Sequence, residues 1–248
     1  MKATELHARA SSDFAAKLVR SQDLLRQAAR DFAPLTQASS LGAEDMVISH
    51  LIEQMQLHIP IFVLDTGKLH SETLALLELL RAQYQTPITV YRPLGESVVR
   101  FVAREGHEAM FKSVGLRKAC CEIRKVEPLA RALAGQRAWI TGLRRDQADS
   151  RTAVGEIEQP EHTSAKPVKF NPLAAWSWGD VWHFIASEQV PYNPLHNSFY
   201  PSIGCAPCTR AISAGEDLRA GRWWWESEAT KECGLHTSQH ARNQVAHA

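Results

Sequence analysis

The chain has 248 residues, 44% of them hydrophobic, with 28 basic and 27 acidic side chains that give a net charge of +1. This length fits one large domain or one and a half domains, and the near-neutral charge excludes a generally polybasic nucleic-acid binder. The N-terminal sequence has no apolar secretory core, and no apolar run is long enough to cross a bilayer. We therefore expect a cytoplasmic protein without a membrane segment.

Apolar residues recur in a pattern that predicts strands and helices in turn. A first helix, residues 12–32, precedes the alternation, and Ser12 is placed to cap it. The alternation indicates a doubly wound, mainly parallel α/β sheet, in which ligands bind at the carboxyl ends of the strands. The predicted strands are 35–40, 59–64, 88–91 and 138–141, and the predicted helices between them are 44–55, 71–83 and 96–104.

Three polar loops follow predicted strands. The first, residues 39–45, runs directly into a helix, where backbone N–H groups and the helix N-terminus favour an anion such as phosphate. It lacks the lysine and spacing of a Walker loop, and its serines and acids could equally cap an ordinary helix. The second loop is 64–69, and the third, 141–147, carries two arginines. These loops contain seven candidate substrate-binding residues: Ser39, Gly42, Glu44, Leu64, Gly142, Arg144 and Arg145.

Four of the five cysteines form two close pairs, Cys120–Cys121 and Cys205–Cys208. Four thiolates from two pairs are a complete ligand set for a metal centre, whereas vicinal cysteines form a disulfide poorly. Zinc and an iron–sulfur cluster both accept four thiolates, so the ligand type leaves both open. Adjacent cysteines suit a cubane cluster, whose irons are spread apart, better than one small ion. Lys125 follows the first pair by about one helical turn and can face the same cleft.

The fifth cysteine, Cys233, lies in a polar, glycine-flanked stretch outside any apolar periodicity. Such a thiol suits nucleophilic attack followed by transfer to a protein reductant, although an incidental surface cysteine would look the same. Arg219 and Arg222 are three residues apart and can share one helical face, where their forked donors would bind phosphate or sulfate oxygens. We expect the tryptophans at 176, 178, 182 and 223–225 to be packing residues, and His196 to be structural.

Together these motifs resemble those of the sulfonucleotide reductases, and specifically of the cluster-bearing adenylyl sulfate reductases of assimilatory sulfate reduction. One departure is Leu41, because many relatives have a serine immediately before the glycine of the first loop. The motifs, which span roughly residues 35 to 237, are Ser39 to Asp45, Leu64-Asp-Thr-Gly, Cys120-Cys121, Thr141-Gly-Leu-Arg-Arg-Asp, Cys205-x-x-Cys208 and Glu232-Cys233-Gly-Leu-His236.

The resemblance implies the fold of the adenine-nucleotide α hydrolases and a [4Fe–4S] cluster held by the four paired cysteines. It also implies that Cys233 is the nucleophile in the reduction of adenylyl sulfate to sulfite and AMP through an enzyme S-sulfocysteine. Thioredoxin, or a glutaredoxin-like reductant, would supply the electrons for this step of sulfate assimilation and cysteine biosynthesis. In the family, positions matching Lys125, Arg219 and Arg222 contact the phosphosulfate, and the one matching His236 lies near it. Family members are often homo-oligomers.

We expect an N-terminal helical segment at 1–34, a nucleotide- and cluster-binding α/β domain at 35–225, and a mobile C-terminal tail at 226–248 that carries the catalytic cysteine. One alternative substrate is the 3′-phosphorylated nucleotide, although Leu41 makes the first loop slightly more apolar and the paired cysteines accompany the unphosphorylated substrate in this family. A zinc-stabilised RNA-binding module is disfavoured by the near-neutral charge. An ATP pyrophosphatase is disfavoured because residues 39–45 match the loop of that family poorly.

Overall fold

A computed structural model describes residues 1–148, 151–160 and 166–227. Within these ranges one sheet is formed by β1 Leu35–Ser39, β2 Ile61–Leu64, β3 Ile88–Tyr91, β4 Ala138–Ile140, β5 Ile157–Glu158 and β6 Val168–Phe170. The strand order is β3-β2-β1-β4-β6-β5, and all neighbours are parallel except β5 and β6. The predicted α/β fold with a mainly parallel sheet is confirmed. The sequence analysis assigns no strand to β5 or β6, which are too short to show a period.

The helices of the described residues connect the strands and flank the sheet. They are α1 Ala3–His7, α2 Phe14–Asp31, α3 Ala43–Gln54, α4 Ser71–Gln83, α5 Gly95–Glu105, α6 Ala109–Lys112, α7 Val114–Cys121, α8 Glu127–Leu133 and α9 Trp178–Ser187. A π-helical turn, Glu122–Val126, joins α7 to α8. Within the ranges given above, no helix combines the length and apolar character needed to cross a membrane.

One hydrophobic cluster joins α2, α3, α4 and α9 to the sheet. Leu24 and Leu25 of α2 are fully buried in it, so the N-terminal helical segment predicted at 1–34 packs on the same core as the α/β domain. Trp182 of α9 is also fully buried, as expected of a packing residue. Full burial of a large apolar side chain contributes about 1.5–3 kcal/mol to stability. The domain boundaries themselves stay a prediction.

The N-terminal residues are attached to the start of α9. The backbone N–H of Arg9 donates to the carbonyl of Gly179, and the N–H of Ser11 donates to the Asp180 carboxylate, which also pairs with Lys17 at 3.2 Å. Burial alone would raise the pKa of Asp180, but these donors outweigh it and hold the pKa well below its usual range. The close approach of the chain to Gly179 leaves no room for a side chain, because a Cβ there would collide with the Arg9 carbonyl oxygen.

This contact predicts the effect of adding one methyl group. Gly179→Ala should lower the free energy of unfolding by about 1–3 kcal/mol, because the collision is with backbone and exceeds the gain in helix propensity. Gly95→Ala is the matched control, since Gly95 also lies in the first turn of a helix and its added Cβ would have no atom within 4 Å. Urea unfolding of both variants measures the difference. Equal stability of the two variants would contradict the close approach.

Candidate functional site

A cleft of about 230 Å³ opens at the carboxyl ends of β1, β2 and β4. This is the edge at which the parallel sheet was expected to bind a ligand. Of the candidate substrate-binding residues, nine line the cleft: Ser39, Gly42, Glu44, Leu64, Lys125, Gly142, Arg144, Arg219 and Arg222. Arg145 does not line it, because its Nε donates to the Val154 carbonyl on the exposed side of the third loop. Cys233 and His236 lie outside the described residues.

In the first loop, which was predicted as an anion site, several backbone donors are used within the loop. The N–H of Ser40 donates to the Asp45 carboxylate at 2.7 Å, and the N–H of Leu41 donates to Ser39 Oγ at 3.2 Å. Leu41 has a φ of 61° and is 1% exposed, so its side chain packs in the core. Leu41, which stands where many relatives have serine, therefore does not make the cleft more apolar. Gly142 packs directly on this loop, where a Cβ would approach Asp45 Oδ1 to 2.5 Å.

Glu44 and Arg144 form a buried ion pair beneath the cleft. Arg144 is 1% exposed, and both its Nε and its Nη2 donate to Glu44 Oε1, at 3.0 and 2.9 Å. Burial would raise the pKa of Glu44, but the charge of Arg144 and a hydrogen bond from Gln147 outweigh it and lower the pKa. Arg144 also lies over the Trp178 ring at 5.5 Å. The pair adds no net charge to the cleft and holds the third loop against α3.

Cationic side chains form another part of the cleft wall. Arg219 and Arg222 lie on a turn in which the N–H of Arg222 donates to the Arg219 carbonyl, so the helix expected for this pair is wrong although both side chains reach the cleft. Gly204 makes room for Arg222, because a Cβ at that position would lie 2.5 Å from Nη2. Lys125 completes this wall. Several cations at one concave surface favour a ligand with more than one anionic group.

Among the other residues that line the cleft, Gln147, Arg151, His196 and Trp223 were not predicted as site residues. Gln147 and Arg151 follow the third loop and are hydrogen-bonded to each other, from Arg151 Nη1 to Gln147 Oε1 at 2.6 Å. His196 and Trp223 were assigned to packing and are indeed buried, but both also line the cleft. Burial lowers the pKa of His196 to about 4, so its imidazole is neutral at pH 7. Of these four residues, only Arg151 could have been found from the sequence, because it closely follows the Arg144-Arg145 pair of the third loop.

The two cysteine pairs meet around a second, smaller cavity beside the cleft. Cys120 and Cys121 lie at the end of α7, whereas Cys205 and Cys208 flank a short 3-10 turn that docks on the second loop, with the N–H of Ala206 donating to the Lys68 carbonyl at 2.8 Å. The hydroxyl of Thr66 lies 3.2 Å from Cys205 Sγ. The predicted convergence of four cysteines on one site is therefore present.

The surroundings of the four thiols suit an anionic metal centre. Burial raises the pKa of Cys208 to about 11 and also raises that of Cys120, so the thiols need a cation or metal to ionise. Positive side chains line the same cavity: Lys68, Arg117, Arg124 and Lys125. Across the described ranges, no three or more His, Cys, Asp or Glu side chains are arranged to hold a single metal ion.

Lys125 belongs to both cavities. It lies in the π-helical turn that follows the first cysteine pair, so its position is set by the same helix that carries Cys120 and Cys121. Trp223 likewise lines the cleft and packs in the hydrophobic cluster that contains the cysteines. A charge in the cysteine cavity would therefore act on a ligand in the cleft across one side chain.

Comparison with known proteins gives consistent matches. Residues 34–211 match the phosphoadenosine phosphosulfate reductase domain. The chain is 52% identical over 223 residues to adenosine 5′-phosphosulfate reductase of Allochromatium vinosum, covering 90% of this chain and 86% of that protein. It is 51% identical over 224 residues to the protein of the same name from Burkholderia cepacia, covering 90% and 89%.

Solved structures share the fold. The crystal structure of phosphoadenylyl-sulfate reductase from Candida auris, a phosphate complex, is similar with a TM-score of 0.65 and 29% identity, covering 80% of this chain and 97% of that chain. FMN adenylyltransferase of Candida glabrata, at 13% identity and a TM-score of 0.55 over 98% of this chain and 88% of that chain, is similar in fold alone.

Asp45 provides a prediction about pH. Burial raises the pKa of this carboxyl group to about 6, against hydrogen bonds from Ser40 and Gly142 that favour the charged form. Because the folded-state pKa lies above the unfolded value, its stabilising contribution is fully present below about pH 4 and is lost as the pH rises through the folded pKa. Relative to Asp45→Asn, the wild-type free energy of unfolding should fall by about 2–3 kcal/mol between about pH 4 and pH 7.5. Urea titrations at several pH values measure this, and a constant difference would contradict it.

Proposed function

The chain belongs to the phosphoadenosine phosphosulfate reductase family, and we propose that it reduces adenosine 5′-phosphosulfate to sulfite and AMP with thioredoxin as the electron donor. Relatives about half identical over nine-tenths of the chain are named adenosine 5′-phosphosulfate reductase, which supports this substrate. The observation that carries the proposal is the junction of a cation-lined cleft with a four-cysteine cavity through Lys125.

The cleft suits an adenine nucleotide that carries a phosphosulfate. Apolar groups at the strand ends, including Leu64 and Trp139, can pack against the base. Lys125, Arg219 and Arg222, which also line the cleft, can neutralise the phosphate and sulfate oxygens. These oxygens repel an attacking thiolate, so positive groups beside them are needed before the sulfur can be reached.

The reaction proceeds by two displacements at sulfur. The Cys233 thiolate attacks the sulfate sulfur, the bond from sulfur to the phosphate oxygen breaks, and AMP leaves with the electron pair. The product is an S-sulfocysteine on the enzyme. A thioredoxin thiolate then attacks Sγ of Cys233 and expels sulfite, and the second thioredoxin thiol resolves the mixed disulfide, which leaves oxidised thioredoxin and a free Cys233 thiol. Both electrons come from the thioredoxin dithiol. His236 stays a candidate for contact with the phosphosulfate.

Cys120, Cys121, Cys205 and Cys208 would hold a [4Fe–4S] cluster. When bound, it supplies a fixed charge beside the substrate rather than electrons, because the dithiol of thioredoxin already provides both. Arg124 fits this arrangement: its Nη1 donates to the Thr66 carbonyl at 2.6 Å, which joins the cysteine helix to the loop that contacts Cys205.

The cofactor proposal predicts the metal content. Anaerobically purified protein should be brown and contain roughly four irons per chain, as expected for one cubane on four thiolates. Cys121→Ser should lower the iron content severalfold, whereas Cys233→Ser should leave it unchanged. Iron and zinc analysis by mass spectrometry decides between the two metals. A colourless protein with stoichiometric zinc would favour the zinc-stabilised binding module instead.

Substrate choice is the second part of the proposal. The alternative is the 3′-phosphorylated nucleotide, favoured by the likeness to phosphoadenylyl-sulfate reductase. An added phosphate brings about two more negative charges and needs cations of its own. Arg144 is already paired with Glu44, so its charge is not available to a 3′-phosphate. Asp45 adds a carboxylate to the first loop, which disfavours a further negative group. The unphosphorylated nucleotide therefore fits this cleft better.

Adduct formation tests mechanism and substrate together. Without thioredoxin, wild-type protein mixed with adenosine 5′-phosphosulfate should gain the mass of one sulfonate, and Cys233→Ser should gain none while still binding AMP. The 3′-phosphorylated nucleotide should form the adduct at least tenfold more slowly at low concentration. Intact-mass spectrometry follows the reaction. An adduct on Cys233→Ser would disprove the nucleophile, and equal rates for the two nucleotides would disprove the substrate preference.

A further inference from the structure

A second buried ion pair joins the cysteine helix to the C-terminal end of the described chain. Arg117 of α7 donates from Nε and Nη2 to the two carboxylate oxygens of Glu226, at 2.9 and 2.8 Å. The side chains are 1% and 2% exposed, and the two residues are 109 positions apart in the sequence. A bidentate pair fixes both the distance and the orientation of the two groups.

Arg117 also links the cysteine cavity to Trp223, a residue of the cleft. It lines the cysteine cavity, where its charge interacts with Cys121. Its guanidinium lies over the ring of Trp223, with its carbon 4.6 Å from the ring centre, and Trp223 lines the cleft. Arg222 lies over the same ring at 4.7 Å. One arginine therefore touches the cysteine cavity, a wall of the cleft and the segment that leads to the tail.

The backbone conformation of residues 222–226 must be stabilised by contacts with other parts of the chain. Trp223 has a φ of 43°, in the left-handed region that a bulky residue rarely adopts, and such conformations persist only where surrounding contacts impose them. Its N–H donates to the Cys208 carbonyl at 3.2 Å, and the N–H of Glu226 donates to the Trp223 carbonyl at 2.8 Å. The path of residues 222–226 is thus determined by Cys208 on one side and by Arg117 on the other.

Cys233 follows Glu226 by seven positions in the sequence. The direction in which the chain leaves Glu226 therefore limits where the Cys233 thiol can go. Misplacement of a reacting group by about 1 Å can cost on the order of a hundredfold in rate. From these contacts we infer that Arg117 and Glu226 are positioning residues, which set the start of the C-terminal segment so that Cys233 reaches the substrate sulfur. This inference rests on the proposed function.

The test separates positioning from binding and folding. Arg117→Lys keeps the charge and loses the fork, and Glu226→Gln keeps the size and loses the charge. Each should slow sulfonate adduct formation on Cys233 at saturating adenosine 5′-phosphosulfate by at least tenfold. The dissociation constant of AMP and the iron content should stay within about twofold of wild type. Glu156→Gln is the control, because it removes the carboxylate of a more exposed pair, in which Nε and Nη2 of Arg20 both donate to one oxygen of Glu156.

A second readout does not depend on the reaction. With AMP bound, the rate at which iodoacetamide alkylates Cys233, measured by peptide mass spectrometry, should rise at least threefold in both variants and not in Glu156→Gln, because the start of the segment is released. Unchanged adduct and alkylation rates would overturn the inference. Joint loss of iron, AMP binding and adduct formation would also overturn it, by assigning the pair to folding alone. If wild-type protein forms no adduct but alkylation rises as expected, the proposed function fails while the positioning of Cys233 by this pair stands.

Discussion

Charged groups are buried around the cleft and the cysteine cavity, and three sets of contacts compensate the charges of five of them. Glu44 is paired with Arg144, Arg117 with Glu226, and Asp45 accepts hydrogen bonds from the loop around Ser40. A buried charge without a partner would cost several kcal/mol, so each pair restrains the two segments that supply it. The third loop is held on α3 in this way, and the C-terminal segment is held on α7. The cleft depends on these restraints because loops form most of its walls.

The cationic side chains of the cleft contribute to it in different ways. Arg144 has a carboxylate partner and is 1% exposed, and it contributes shape. Lys125, Arg219 and Arg222 line the cleft and contribute positive potential to it. Because Lys125 also lines the cysteine cavity, the potential in the cleft depends on the charge of that cavity. Lys125 is therefore the side chain through which the cysteine cavity and the cleft are connected.

Much of this arrangement could be predicted from sequence, for identifiable reasons. Strands β2 and β4 are continuous apolar runs, and the two cysteine pairs carry a spacing that few structural roles require. Arg117 and Glu226 could not be found in this way, because a contact across 109 positions has no periodicity. The internal hydrogen bonds of the first loop could not be predicted for a different reason: a loop whose N–H groups face an anion and a loop whose N–H groups face its own side chains can have the same sequence. Only the position of Asp45 distinguishes the two. The segment that contains Cys233 and His236 lies outside the described residues, so the roles assigned to them stay predictions.

The π-helical turn at Glu122–Val126 restricts changes in the length of the chain between α7 and α8. A π-turn accommodates one residue more than an α-helical turn, and each residue of an α-helix turns the following side chains by about 100°. Removal of one residue here would restore a regular helix and swing Cys120 and Cys121 away from Cys205 and Cys208. Substitutions at exposed positions of α7 and α8 do not change the direction of the cysteine side chains about the helix axis. Natural variation in the segment should therefore accumulate as exchanges of one residue for another, while its length stays constant.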